Sequence, residues 1–221
     1  MICKISLPDG STIGIQYSRD VYNPKYSSYR DTIGLTHECI KELNPSRFVD
    51  VGCGSGVIGL AIKKLHPFLD VTLCDVDKNA VKQTKLNAKR LGLSVNVLEI
   101  DLLPKIQFYP VVAANLPTFD VEQMKTESLH GPETSYSGGE DGLDLYRKLL
   151  NQIGVGVFLI CEIQEKHQPT FYKLLDELQI FQVVAKSKMA FALFKRPVPE
   201  LLPKDTLIGK SADNSAILLP S

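Results

Sequence analysis

Phe48-Val49-Asp50-Val51-Gly52-Cys53-Gly54-Ser55-Gly56-Val57-Ile58-Gly59-Leu60 runs from a short apolar stretch to an acid, through three alternating glycines, and into apolar residues at helical spacing. The pattern predicts a buried strand that turns sharply into a helix, with a glycine-lined concavity at the turn. Glycine suits such a turn because the backbone can take left-handed dihedrals and come close to a ligand with no Cβ in the way. The free amide groups of the following helix would point at that ligand. A nucleotide-type cofactor site is therefore the first expectation.

Outward from this turn, strands and helices alternate. Ile5 to Gln16 reads as a hairpin around Pro8-Asp9-Gly10, and Asp31 to Leu43 has a helical pattern that ends before Pro45. Val71-Thr72-Leu73-Cys74 predicts a strand ending at Asp75. Asp77 can then cap a helix bearing Ala80, Val81, Thr84, Ala88 and Leu91, closed by Gly92. Val95–Ile100, Val111–Ala114 and Val155–Cys161 read as further strands, and Leu143–Ile153 and Thr170–Leu178 as helices. Phe181–Ala185 and Ala190–Phe194, flanking Ser187-Lys188, should close the chain as an antiparallel hairpin.

This alternation predicts an α/β fold, a doubly wound, mostly parallel seven-stranded Rossmann-like sheet with a small N-terminal hairpin. Residues 1–196 are expected to form one domain, with 1–44 as hairpin and lead helix, and 197–221 to form a proline-rich extension. Asp50, Asp75, Asp101 and Asn115 all fall at or just past strand carboxyl ends. In open α/β sheets that edge, at the point where strand order reverses, is where ligands sit.

Composition narrows the function classes. The 221 residues hold 25 basic and 25 acidic side chains, which disfavours a broadly basic nucleic-acid binder. Lys82, Lys85, Lys89 and Arg90 fall on one helix and read as a solvated outer face. Cys3, Cys39, Cys53, Cys74 and Cys161 have no metal-ligand or redox spacing, so reduced core thiols in a cytoplasmic protein are expected. The start of the chain has no long apolar stretch, and neither secretion nor membrane insertion is expected.

Two cofactor classes fit the turn. Gly54-Ser55-Gly56-Val57-Ile58-Gly59 satisfies the dinucleotide fingerprint, with Asp75 about 20 residues further on. A pyrophosphate reading, however, leaves Asp50 and Gly52 unexplained and finds no hydride-transfer acid downstream. An S-adenosyl-L-methionine site uses the loop around the amino acid and ribose. Asp75 then accepts from the ribose hydroxyls, and Asp101 receives the adenine amine.

Val49 to Gly56 resembles the first motif of class I S-adenosylmethionine-dependent methyltransferases. Gly138-Gly139-Glu140-Asp141-Gly142-Leu143-Asp144-Leu145-Tyr146-Arg147-Lys148-Leu149 is similar to a segment of HemK-type release-factor glutamine methyltransferases, as is Glu162-Ile163. The resemblance covers roughly residues 45–196 and points to short members without the helical N-terminal domain. It implies a protein substrate, the glutamine amide in the Gly-Gly-Gln motif of a release factor, and a possible small activator subunit as partner. It also implies cofactor contacts from Asp50, Gly52, Gly54, Gly56, Asp75 and Asp101.

Asn115-Leu116-Pro117-Thr118 stands where that family carries Asn-Pro-Pro-Tyr. An amide nitrogen is a poor nucleophile because its lone pair is delocalised. Two acceptors, the Asn115 side-chain oxygen and the Leu116 carbonyl, could hold its N–H groups and aim it at the donor methyl, with Pro117 stiffening the loop. The methyl donor brings its own positive charge, so no metal is required. Leu116 replaces a proline and Thr118 an aromatic; Phe119, one position on, has an aromatic ring, but a one-residue shift usually changes a side chain's direction. Val21-Tyr22-Asn23-Pro24 with Asp31-Thr32 resembles the family segment that closes over the methionine end, at a longer spacing; the rival reading of Asp31 is a helix start. Two alternatives stay open: methylation of an RNA exocyclic amine, which the missing stacking aromatic makes less favoured, and a cofactor-binding module without catalysis.

Overall fold

The computed structural model describes residues 1–26, 29–104, 107–178, 181–186 and 189–195. The expected 197–221 extension and the Ser187-Lys188 connection lie outside the described residues.

The strands are β1 (Ile2–Ser6), β2 (Thr12–Gln16), β3 (Arg47–Val51), β4 (Asp70–Asp75), β5 (Asn96–Glu99), β6 (Val111–Ala114), β7 (Phe158–Glu162), β8 (Phe181–Lys186) and β9 (Ala190–Lys195). The helices are α1 (Tyr29–Leu43), α2 (Val57–Leu65), α3 (Lys78–Leu91), α4 (Val121–Thr126), α5 (Asp144–Gln152) and α6 (Gln168–Leu178). β1 and β2 form a small antiparallel sheet, and the other seven form a sheet in the order β5-β4-β3-β6-β7-β9-β8. β5, β4, β3, β6 and β7 pair in parallel, while β9 runs antiparallel to both its neighbours. Strand order reverses between β3 and β6, the crevice position anticipated from the sequence.

Strand pleating assigns successive side chains to two cores. Phe48, Val71, Leu73, Val111, Ala113 and Ile160 pack with Ile33 and Ile40 of α1 and Leu60 and Ile62 of α2. Val49, Val51, Val112, Ala114, Leu159 and Cys161 pack with Tyr146 and Leu149 of α5 and Phe171 of α6. Both faces are covered, so β6 is buried at every position and shows no polar alternation.

Several boundaries differ from the sequence expectation. The first hairpin begins at Ile2, three residues before the expected start. Residues 155–157 do not extend β7 backwards: Gly156, at φ 79°, sits in a turn, and the strand begins at Phe158. α4 was not expected at all, although Asp120 and Gln123 form a reciprocal capping box legible as Asp-x-x-Gln. Asp77 and Gly92 cap α3 as predicted, with Gly92 left-handed at φ 66°.

Candidate active site

At the end of β3 the chain turns back under a cavity of about 600 Å³. Gly52 takes φ 68°, and a Cβ there would stand 2.7 Å from Cδ2 of Leu116. Only glycine fits on both counts. Gly56 takes φ 84° as the N-cap of α2; it is not among the cavity-lining residues, and a Cβ would press on Leu60 and Thr84 behind the wall. Gly52 and Gly54 do line the cavity, with Asp50, Asp75, Asp101, Asn115, Leu116 and Pro117.

The loop is tied to the sheet through its backbone. Gly52 and Cys53 N–H groups donate to the Cys74 carbonyl at 2.9 and 3.0 Å. Gly54 N–H donates to Asp75 Oδ2 at 2.8 Å, and Asp77 N–H to Asp75 Oδ1 at 2.9 Å. Asp75 is thus fixed in orientation, yet a carboxylate accepts about four hydrogen bonds, so lone pairs remain on the cavity side. Burial raises its pKa above the usual carboxylate range. Asn87 of α3, fully buried, donates to the Ser55 and Gln16 carbonyls and accepts from Gln16 N–H, which joins loop to N-terminal hairpin.

Asp50 is buried at the cavity floor. Its Oδ2 accepts from Gly59 N–H at 2.8 Å, and its Oδ1 has no partner among the described residues. Burial raises its pKa from 3.8 to about 7. A buried acceptor without a donor costs free energy until something supplies one, and a ligand ammonium or N–H would do so. The residues present therefore fit a ligand with a cationic or N–H-bearing end at Asp50, a diol near Asp75 and a planar group beside Val76 and Asp101. Asp101 is exposed and stands just before Leu102, whose φ of 58° marks a tight turn after β5.

Asn115-Leu116-Pro117-Thr118 leaves β6 on the other side of the same cavity. Leu116 differs from a proline in having an N–H, and that group donates to the Tyr146 hydroxyl at 3.2 Å. The same hydroxyl lies 2.8 Å from the Glu162 carbonyl and 3.2 Å from that of Ala114. A hydrogen bond thus holds the backbone where a ring would otherwise have done so. Leu116's side chain is buried over Gly52.

The Gly138–Leu149 segment passes beneath this loop. Gly138 N–H donates to the Phe119 carbonyl, and a Cβ on Gly138 would stand 2.8 Å from the Pro117 carbonyl oxygen. At Gly142 a Cβ would meet the Thr118 carbonyl at 2.4 Å. The segment that resembles one family so narrowly is therefore the floor of the Asn115 loop, and its small residues permit that approach.

Thr118 is buried, and its hydroxyl accepts from Gln164 Nε2 at 2.7 Å. Phe119 nevertheless reaches the cavity wall, with its ring 5.2 Å from that of Tyr136, which is itself 5.1 Å from that of Tyr22. Tyr136 carries no local sequence pattern that marks it, and it meets Tyr22 of the Val21-Tyr22-Asn23-Pro24 segment only through the fold. Asp31 lies in the first turn of α1, and Thr32 is buried with its hydroxyl donating to Glu162 Oε2 at 3.1 Å. All five cysteines are free, four of them buried, and burial raises the thiol pKa of those four. No helix among the described residues is long and apolar enough to cross a membrane.

Residues 34–130 match the family described as methyltransferase small domain. The chain is also 31% identical, over 151 residues, to a release factor glutamine methyltransferase of Deinococcus radiodurans, covering 63% of this chain and 54% of the relative. Over these residues the chain is similar to S-adenosylmethionine-dependent methyltransferases. It spans about half the length of the curated methyltransferases it matches. Among solved methyltransferases, a ribosomal protein L11 methylase from Lactobacillus delbrueckii subsp. bulgaricus superimposes with TM-score 0.58 at 19% identity, over 80% of this chain and 82% of that one. The T. thermophilus 16S rRNA N2 G1207 methyltransferase, solved with AdoMet and guanosine, gives TM-score 0.62 at 13% identity, over 89% and 50%. Both likenesses establish the methyltransferase fold and leave the acceptor open.

Proposed function

We propose that this chain transfers a methyl group from S-adenosyl-L-methionine to a planar amide nitrogen, with the glutamine of a release-factor Gly-Gly-Gln motif as acceptor. The observation that carries this reading is the meeting, in one cavity, of the Asp50–Gly54 turn and Asp75 with the Asn115-Leu116-Pro117 loop. Asp50, Gly52, Gly54, Asp75 and Asp101 would hold the cofactor, with Gly56 setting the turn behind them. The cofactor supplies an electrophilic methyl on a cationic sulfur. Asn115 and the Leu116 carbonyl would accept the two N–H groups of the acceptor nitrogen, aim it, and ease loss of its proton. Pro117 limits the dihedrals of the residue before it and keeps the Leu116 carbonyl in place. Tyr22, Phe119 and Tyr136 would enclose the flat acceptor group, a part that position 118 does not play here.

The test is incubation of the purified chain with S-adenosylmethionine and a release factor, with and without cell extract to supply a small activator subunit. The expected result is a mass gain of one methyl on the Gly-Gly-Gln glutamine. A second reading, methylation of an exocyclic amine in RNA, draws on the same aromatic trio, because flipped bases stack on such rings. Methyl label found in RNA and absent from protein would replace the first reading with the second. Tight cofactor binding with no transfer to either would leave a binding module.

A further inference from the structure

Asn115 can serve as an acceptor toward a substrate only if its amide carbonyl, and not its NH₂, faces that substrate. The two ends of an asparagine amide are nearly identical in shape, so packing alone does not choose between them. Something chemically one-sided has to. Glu162, the last residue of β7, supplies it: its Oε2 accepts from Asn115 Nδ2 at 3.2 Å and from Thr32 Oγ1 at 3.1 Å. A carboxylate is an acceptor only, so the end of the Asn115 amide that meets it must be the NH₂. The carbonyl end is then the other one. Thr32, buried on α1, limits where the Glu162 carboxylate can swing, and Glu162 lines the same cavity as Asn115.

We propose that Glu162 is a positioning residue that fixes the orientation of the Asn115 amide, and that Thr32 in turn fixes Glu162. The inference rests on the N-methyl transfer reading for its consequence, but the orientation itself can be measured without turnover. Glu162→Gln keeps the shape and allows an NH₂ group to face Asn115, so the amide is no longer forced one way.

The experiment has two arms. In protein labelled with ¹⁵N-asparagine, the Asn115 side-chain resonance is identified by its loss in Asn115→Asp. In Glu162→Gln this resonance should shift upfield as its bond to a charged acceptor is lost. In the transfer assay on the release factor, Glu162→Gln should lower kcat by about tenfold to a hundredfold, with KM and calorimetric Kd for S-adenosylmethionine unchanged. The swap Asn115→Asp with Glu162→Gln restores a donor–acceptor pair in reverse, so it should be more active than Asn115→Asp alone. A resonance that does not move, a wild-type kcat in Glu162→Gln, or a swap no better than Asn115→Asp would each overturn the proposal. Should the wild-type chain methylate nothing, the functional reading falls, and the resonance still decides the orientation.

Discussion

The two walls of the cavity are built by different means. The wall from β3 to β5 is held by backbone: glycine dihedrals, amide groups on the Cys74 carbonyl, and amide groups on Asp75. The wall after β6 is held by side chains distant in sequence: Tyr146 beneath Leu116, Glu162 beside Asn115, Gln164 on Thr118. The first wall follows from local chain geometry and tolerates few residue types. At positions 116 and 118 of the second, where the resembled motif has proline and tyrosine, the Tyr146 hydroxyl holds the Leu116 N–H and Gln164 holds the Thr118 hydroxyl. On the reading proposed above, the acceptor side departs from the resembled motif while the cofactor side keeps to it.

This contrast can be broken most directly at Asn115. Asn115→Ala should cut methyl transfer by about 100-fold or more while leaving the calorimetric Kd for S-adenosylmethionine unchanged; a parallel loss of both would mean that the walls are not separable. Gly52→Ala touches both walls at once, through a left-handed dihedral and the contact with Leu116. It should cost roughly 2–4 kcal/mol in urea unfolding. Adding Leu116→Ala should return the part due to the contact and leave the part due to φ. Tyr146→Phe leaves the Leu116 N–H without its acceptor and should cost about 1–2 kcal/mol, with kcat falling and cofactor affinity preserved.

The last effect concerns Asp50. Its folded carboxyl holds a proton up to about pH 7, while the unfolded one releases it near 3.8. The folded chain therefore binds more protons across that window, and the contribution of Asp50 to stability declines as pH rises from about 4 to about 7, then levels off. Urea titrations across this range should show a flatter pH dependence in Asp50→Asn than in the wild type. An unchanged slope would mean that the cavity floor is better solvated than its burial indicates.

Much of the sheet and its flanking helices was legible in advance. Strand β6 was expected at Val111–Ala114 and is found there, because a continuous apolar run bounded by a polar residue has no other good use in a buried parallel sheet. Asp77 and Gly92 were readable as caps because capping is settled within a few residues. The boundaries of β7 and the presence of α4 were less clear, since Gly156 can break a strand or sit within one, and α4 has no fully buried residue to impose a period. On the acceptor side the Asn115 motif and the Gly138–Leu149 segment could be seen, but not that one lies under the other.

By itself the sequence determined the order of strands and helices, the glycine turn and the acids at the strand ends, all fixed by dihedral freedom and hydrophobic period among near neighbours. Only the tertiary structure decided which groups hold the backbone at Leu116 and the side chain of Asn115. Those answers depend on pairs 30 and 47 residues apart, Leu116 with Tyr146 and Asn115 with Glu162. No local pattern encodes hydrogen bonds whose partners meet only when β6 pairs with β7 and α5 packs on the sheet.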